Sequence, residues 1–300
     1  MELLTIYTPT YNRITLLERL YNSLLDQTCK DFIWMIVDDG SNDNTKEIVE
    51  KWLKNENGFK IEYFYKENGG VHTARDFAYT HCKTDLLVSI DSDDWLVNNA
   101  VEIIIDFWKE NGKKEYAGVF GKCMLSNGDN IGTDFPEVKA TTFQELTYKY
   151  RFKGDKMTII RTDIINKIQE SPKYSGEKLV SETYKWIQLP EDRPFLLLNI
   201  PTKIVEYQKD GYSANAYENI FKNPNGFRAN YRQYMISSRY FLPKIKGYIG
   251  YIACSLLLKD SNFIKASPYP VRTTLLLPLG IIGVISLKLR RKKINKLKLS

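Results

Sequence analysis

Short apolar runs alternate with stretches of helical periodicity over the first 125 residues of the chain. The apolar runs lie at residues 3–8, 32–37, 61–65, 86–90 and 116–124. Between them, apolar residues recur three and four positions apart after Asn12 and over residues 48–53, 71–80 and 100–108. Strands that alternate with helices predict right-handed crossovers and an α/β fold with a mostly parallel sheet. Asn12 is placed to cap the first helix.

The pattern changes after residue 125. Residues 126–160 are turn-rich and predict an irregular segment, and residues 162–207 are mixed in character. Residues 208–234 are polar and predict a long loop that leads into a helix, with candidate ligand contacts at residues 211–213 and 225–228. The last 70 residues are apolar and basic and predict a helical extension.

Polar residues follow three of the predicted strands directly. The segments are Thr-Pro-Thr-Tyr-Asn-Arg at 8–13, Asp-Asp-Gly-Ser at 38–41 and Asp-Ser-Asp-Asp at 91–94. Ligands of open α/β sheets bind beyond the carboxyl ends of the strands. We therefore expect these segments to converge on one crevice.

Clustered carboxylates repel one another unless a cation is bound or one of them is protonated. Mg²⁺ or Mn²⁺ is suited to oxygen ligands and keeps positions open for phosphate oxygens. Asp38 and Asp39 are candidates to accept hydrogen bonds from a ribose or a base, and Tyr11 could stack on a base. Asp-Asp-Gly-Ser and Asp-Ser-Asp-Asp are each also a good turn or N-cap sequence. Their joint placement, each directly after a buried strand, favours a metal–nucleotide site.

Composition and charge exclude several classes of protein. The 300 residues are 43% hydrophobic and 26% charged, as in globular proteins. Seven of the 43 basic residues lie at positions 288–300, where no acid occurs. In the rest of the chain, the number of basic residues therefore equals the 36 acidic ones. Because the excess positive charge is confined to this tail, a nucleic-acid partner is not expected. Scattered cysteines and two histidines make structural zinc unexpected, and no secretory signal is recognised, which favours the cytoplasm.

The three segments resemble the nucleotide-sugar motifs of glycosyltransferase family 2. The matching residues are Thr10–Arg13, Val37–Ser41 and Asp91–Asp94, and Asn68–Val71 with Ala74–Asp76 resemble the segment between the second and third motifs. The resemblance implies the GT-A fold, a three-layer α/β/α domain. It also implies an inverting transferase that uses a nucleotide-diphosphate sugar, with a UDP-sugar favoured, and a divalent cation.

The same resemblance assigns provisional roles to individual residues. Pro9, Tyr11 and Asp39 would contact the nucleotide, Asp91 and Asp93 would form the Asp-x-Asp pair with Asp93 as metal ligand, and Asp94 would be its neighbour. Residues 1–125 would form the nucleotide-sugar-binding half and residues 126–235 the acceptor-binding half. Residues 236–300 would form the membrane-associating region.

The attacking hydroxyl needs a general base, and residues 175–186 are the best candidate segment. Ser181 would cap a helix with Glu182 in its first turn, where an acid also favours the helix dipole with no catalytic role. The segment resembles the acid-bearing acceptor loop of the family, which favours Glu182 as base with Glu177 as the fallback. Arg75 and Arg228 could clamp a diphosphate or face solvent.

The C-terminal apolar stretch is too short to cross a bilayer. Residues 275–287 are interrupted by Pro278, Gly280 and Gly283, and spanning a bilayer needs about 20 residues. The basic run that follows favours a segment in the interface of an anionic membrane; the alternative is a buried helix with a solvated end.

These features predict a glycosyltransferase of surface polysaccharide synthesis, peripheral at the inner face of the cell membrane. Its acceptor would be a glycan or a lipid-linked glycan. A sugar nucleotidyltransferase is a weaker alternative, since such enzymes usually carry a Gly-rich basic loop after the first strand. A non-catalytic membrane-associated module that binds nucleotide sugars is a further alternative. A dinucleotide oxidoreductase lacks its G-x-G-x-x-G signature here.

Overall fold

A computed structural model of the chain describes residues 2–208 and 215–297, so the predicted contacts at residues 211–213 lie outside the described residues. The chain divides into two units. Unit 1 holds the described residues up to Gln169 together with Leu189–Tyr207, and unit 2 holds Glu170–Gln188 and the described residues from Gln208 onward. The bounds of these units differ from the predicted donor and acceptor halves, which remain a prediction.

Unit 1 is built from strands and helices in alternation. Its strands are β1 (Leu4–Thr10), β2 (Phe32–Asp38), β3 (Lys60–Tyr65), β4 (Leu86–Ser89), β5 (Trp95–Leu96), β6 (Gly118–Leu125), β7 (Ala140–Thr141), β8 (Lys156–Arg161) and β9 (Phe195–Val205). Its helices are α1 (Ile14–Leu25), α2 (Thr45–Trp52), α3 (Val71–His81), α4 (Ala100–Asn111), α5 (Thr162–Ile165) and a π-helical turn at Glu145–Lys149. The elements predicted over the first 125 residues are thereby confirmed.

The strands of unit 1 form one sheet in the order β3-β2-β1-β4-β8-β6-β9-β5, with β7 paired to β9. β1 pairs in parallel with β2 and β4, and β2 pairs in parallel with β3. The second half of the sheet is mixed, because β8 pairs antiparallel with both β4 and β6. The expectation that residues 126–160 are irregular is therefore wrong at β8, which lies in the middle of the sheet.

Helices cover both faces of the sheet. Leu4 and Ile6 of β1 lie in a buried cluster with Leu17 of α1 and Ile104 of α4. Since side chains alternate along a strand, Tyr7 lies on the other face, where its hydroxyl donates to that of Tyr79 in α3 (3.1 Å). All seven positions of β1 and of β2 are buried, which explains the nearly continuous apolar sequence of β2. This is the three-layer α/β/α arrangement.

Unit 2 is helical in the residues that the structure describes. Its helices are α6 (Thr183–Trp186), α7 (Ala216–Lys222), α8 (Pro224–Ser237), α9 (Phe241–Leu257), α10 (Phe263–Ala266), α11 (Pro270–Leu275) and α12 (Leu277–Leu297). Met235, Tyr251 and Ile252 are central to its core. Most of the segment predicted as a polar loop at 208–234 is thus helical, and the helical extension is confirmed. Among the described helices, none combines the length and the apolar character needed to cross a membrane.

Candidate active site

The loops after β1, β2 and β4 lie at one edge of the sheet. β1 is flanked by β2 and β4 and runs parallel to both, so the carboxyl ends of the three strands point the same way. Two hydrogen bonds join the first two loops: the N–H of Asn12 donates to Ser41 Oγ (2.9 Å), and the N–H of Asn42 donates to Asn12 Oδ1 (2.7 Å). The convergence predicted from the sequence is observed.

Asn12 links these loops and does not cap helix α1. Its backbone is left-handed, with φ of 52°, and Arg13 occupies the N-cap position. The Arg13 guanidinium donates to Asp93 Oδ2 at 3.1 Å, so the first loop also contacts the loop after β4. The prediction that Asn12 caps the helix is wrong because its side chain accepts the hydrogen bond from Asn42 instead.

The two acids after β2 have different surroundings. Asp38 is fully buried, and its oxygens accept hydrogen bonds from the N–H of Ser41 (2.8 Å) and the hydroxyl of Tyr63 (2.7 Å). Asp38 therefore stabilises the turn, which corrects the expectation that both acids face a ligand. Gly40 at this turn has φ of 87°, a backbone conformation that glycine adopts readily.

Asp39 fixes the loop that precedes helix α3. Its Oδ1 accepts from the N–H of Gly69 (3.0 Å) and its Oδ2 from the N–H of Gly70 (2.7 Å). The ammonium group of Lys66 also pairs with Asp39 Oδ1. Asp39 is thereby held rigidly at the sheet edge, and its contact with a nucleotide remains a prediction.

Asp91, Asp93 and Asp94 form a compact carboxylate cluster. One oxygen from each lies within 4.8 Å of the other two. Each acid also faces a cation: Asp91 faces Arg75 of α3 at 3.5 Å, Asp93 faces Arg13, and Asp94 faces Lys203 of β9 at 2.8 Å. The cluster is therefore charge-compensated within unit 1.

The pKa values of two of these acids reflect crowding and burial. Burial raises the pKa of Asp93, and the Asp91 carboxylate adds to the rise, whereas Arg13 lowers it. Burial raises the pKa of Asp94 to about 6, although the Lys203 ammonium acts in the opposite direction. Both shifts show that negative charge is costly in the cluster. A divalent cation would relieve that cost, and carboxylate oxygens are ligands that Mg²⁺ and Mn²⁺ prefer.

The other predicted donor-site residues are placed as follows. Pro9 is buried in β1 opposite Val37 of β2. Tyr11 directly follows β1 and is 45% exposed, so its ring is accessible for stacking. The Arg75 side chain is only 15% exposed and faces Asp91, which favours an active-site position over a solvent-facing one.

Two basic residues next to the cluster, Arg19 and Lys203, are not among the site residues that the sequence predicts. Arg19 of α1 donates to the backbone oxygen of Asp93 (2.5 Å), pairs with Glu206 and lies over the ring of Trp95. Lys203 lies 109 residues from Asp94 along the chain. Such a contact leaves no short-range signal in the sequence.

Glu177 and Glu182 have different local structures in unit 2. The carboxylate of Glu177 accepts hydrogen bonds from the N–H groups of Asn225 (3.0 Å) and Gly226 (2.8 Å), in the first turn of α8. Glu177 thus caps α8, which counts against its fallback role as base. Glu182 is half-buried and occupies the N-cap position of α6, where Ser181 was expected. The helix therefore begins at Thr183 and not at Glu182.

Arg228 is part of helix α8 and not of a loop. Its guanidinium pairs with Asp260 (2.6 Å) and donates to Asn225 Oδ1 (3.0 Å) within unit 2. The predicted loop placement is wrong, because the polar segment forms a helix. The contacts of Arg228 indicate a structural role, and its binding to a diphosphate has no support from them.

Comparison with known proteins finds relatives in sequence and in fold. The chain is 23% identical to a Campylobacter jejuni enzyme named GalNAc(5)-diNAcBac-PP-undecaprenol beta-1,3-glucosyltransferase, over 74% of this chain and 71% of that protein. The fold resembles S. aureus TarS in complex with UDP-GlcNAc, with a TM-score of 0.63, 18% identity, and coverage of 98% of this chain and 92% of that one. It also resembles the mannosyltransferase PcManGT from Pyrobaculum calidifontis in complex with GDP-Man and Mn²⁺, with a TM-score of 0.53, 13% identity, and coverage of 99% and 81%.

The three motifs also match a family model. The model described as glycosyl transferase family 2 matches residues 5–169, which include the loops after β1, β2 and β4. Since this match covers more than half of the chain, the protein belongs to glycosyl transferase family 2.

Proposed function

We propose that the protein transfers a sugar, with inversion, from a nucleotide-diphosphate donor to a hydroxyl of a lipid-linked glycan. A UDP-sugar is the favoured donor, and the context is surface polysaccharide synthesis at the inner face of the cell membrane. The observation that carries the proposal is the meeting of three motif loops beside a compact carboxylate cluster. The names of the relatives support it, since one acts on an undecaprenol-linked glycan and one binds UDP-GlcNAc.

The residues of unit 1 divide the task of binding the donor. The exposed ring of Tyr11 provides a surface for the base, beside Pro9. Asp39, held by the N–H groups of Gly69 and Gly70, keeps the loop before α3 in place and can accept a further hydrogen bond from the nucleotide. Arg75 supplies positive charge next to the cluster for the diphosphate.

Asp91 and Asp93 would hold a divalent cation, with Asp93 as the main ligand. When bound, the cation acts as a Lewis acid that stabilises negative charge on the departing diphosphate. Glu182 is proposed as the general base that takes the proton of the acceptor hydroxyl. A single in-line displacement then gives inversion.

Donor and cation binding can be measured without an acceptor. With UDP and MnCl₂ together, the melting temperature of the full chain should rise by about 5 °C at saturating ligand. UDP with EDTA should give a much smaller rise, because the diphosphate would then face the carboxylates without a bridging cation. GDP with MnCl₂ serves as the control for nucleotide choice. A rise of equal size with UDP in EDTA would contradict the metal assignment.

We also propose that unit 2 docks on an anionic membrane through α11 and α12. Gly280 and Gly283 bring α12 close to α9, since a Cβ on Gly280 would lie 2.3 Å from Ile252 Cγ2. The opposite side of α12 is also apolar, with Ile282 and Ile285 exposed. A helix that is apolar on both sides needs a second apolar environment.

Charge favours a lipid surface as that environment. Lys288, Arg290 and Lys292 are exposed in the second half of α12, although Arg290 also contacts Tyr217. Arg291 is engaged by Glu218 at 2.6 Å. Val271 and Leu275 of α11 are each 74% exposed and add further apolar side chains. Apolar side chains beside lysine and arginine suit the interface of a membrane with anionic headgroups.

Point variants test this docking better than truncation, because removing α12 would expose Ile252 in the core of unit 2. The double variant Ile282→Glu/Ile285→Glu should weaken binding to vesicles that contain phosphatidylglycerol by more than about tenfold. Sedimentation with vesicles measures the effect, and vesicles of phosphatidylcholine alone test the charge requirement. Leu53→Glu, at an exposed apolar position of unit 1, is the matched control. Unchanged sedimentation of the double variant would contradict the docking face.

A further inference from the structure

The three ion pairs of the carboxylate cluster differ in exposure. Asp91 and Arg13 are open to solvent, with side chains 45% and 32% exposed, so their pairs can exchange with a ligand. The Asp94–Lys203 pair is buried on both sides, with side chains 7% and 11% exposed. One pair is therefore fixed, and two can be displaced.

The backbone of β9 holds Lys203 in this position. Leu96 of β5 pairs with Lys203 in an antiparallel register, and the N–H of Val97 donates to the backbone oxygen of Thr202 (3.2 Å). On its other side, Lys203 is opposite Cys123 of β6. The pairing of β9 with β5 and β6 therefore fixes the position of the Lys203 side chain beside the acidic loop.

We propose that Lys203 is a positioning residue that holds Asp94 out of the cation's ligand set. The proposal rests on the proposed function, in which Asp91 and Asp93 bind a divalent cation. Asp94 has an oxygen within 4.8 Å of both, close enough to become a third ligand. Lys203 instead binds that carboxylate at 2.8 Å and compensates its charge.

The consequence concerns the open positions on the cation. Mg²⁺ and Mn²⁺ sites that act on phosphates keep positions for substrate oxygens and water, and they use few carboxylates from the protein. A third carboxylate would strengthen binding of the bare cation and leave fewer positions for the diphosphate. Lys203 would thereby lower the affinity for the bare cation and raise the affinity for the donor.

The variant Lys203→Met tests this inference, because the inference predicts tighter Mn²⁺ binding and a purely structural role predicts weaker binding. It should tighten Mn²⁺ binding to the full chain about tenfold, because a positive charge is lost and Asp94 is released. Electron paramagnetic resonance of free Mn²⁺ measures this affinity without donor or turnover. The same variant should raise the KM for the donor about tenfold. A purely structural role predicts weaker Mn²⁺ binding, in step with a lower melting temperature.

Two further variants separate charge from packing. Lys203→Arg keeps the charge and should stay within about threefold of the wild-type Mn²⁺ affinity. The double variant Lys203→Met/Asp94→Asn removes the pair and should return Mn²⁺ affinity to the wild-type value. The double variant also keeps the test informative if Lys203→Met alone folds poorly, because the double variant leaves no unpaired buried charge.

The outcomes distinguish this inference from the proposed function. If the wild type binds no Mn²⁺, the proposed metal site fails and the inference fails with it. If the wild type binds Mn²⁺ and Lys203→Met binds it equally or more weakly, only the role of Lys203 is refuted. Retention of tight binding in the double variant would show that Asp94 is not the added ligand, and this too would refute the inference.

Discussion

Asp93→Asn is expected to lower kcat/KM for sugar transfer by more than about a hundredfold while the fold stays intact. The amide keeps the shape of the side chain but loses the charge that attracts the cation and the Arg13 guanidinium. Since burial and Asp91 already raise the pKa of Asp93, neutralising it removes a repulsion as well as an ion pair. We therefore expect the free energy of unfolding to change by less than about 1 kcal/mol.

Release of the nucleotide in steady-state assays and urea titration of the same preparation measure both effects. Asp106→Asn, at an exposed position of α4, is the matched control and should leave both quantities unchanged. If Asp93→Asn retained full turnover that still depends on Mn²⁺, the cation would have to be held by other groups.

The first half of the sheet could be predicted because local and tertiary preferences agree there. β1 and β2 are buried at every position, and the apolar residues that this burial requires make both runs stand out in the sequence. β8 was missed because it follows Gly154 and Asp155, which have the character of a turn, and because its partners β4 and β6 are distant in sequence. Its pairing is decided by tertiary context, which short-range patterns do not report.

Residues 225–228 are predicted as a loop by their sequence but lie in helix α8. Asparagine and glycine favour turns in isolation, yet Pro224 begins α8 and Glu177 accepts the hydrogen bonds of its first turn. A Cβ on Gly226 would lie 2.0 Å from the backbone oxygen of Leu179, so the glycine lets α8 pack closely against the backbone at Leu179. Glycine as a residue type favours a turn, whereas here it permits a close approach of two backbones.

The acids of the site were predictable, but the cations that compensate them were not. Asp39, Asp91 and Asp93 directly follow strands that the apolar pattern identifies, so their shared edge follows from sheet topology. Lys203 and Arg19 reach the same loop from β9 and α1. Their contribution depends on strand register and helix orientation, which a single sequence does not specify.

Glu182→Gln is expected to lower kcat by about a hundredfold to ten-thousandfold while the donor still binds. The amide cannot accept the proton of the acceptor hydroxyl, whereas the cation and nucleotide contacts in unit 1 are untouched. Thermal shifts with UDP and MnCl₂ should therefore match those of the wild type, and the loss should appear in transfer alone. Hydrolysis of the donor by water should fall in parallel, because it needs the same base.

Glu177→Gln provides the contrast, because Glu177 caps α8 through the N–H groups of Asn225 and Gly226. Loss of its charge at a helix N-terminus should lower the free energy of unfolding by about 1 kcal/mol. Transfer below the melting temperature should stay within about threefold of the wild type. The reverse result, with transfer lost in Glu177→Gln and kept in Glu182→Gln, would assign the base to Glu177. Equal and partial losses in both variants would instead show that neither carboxylate takes the proton.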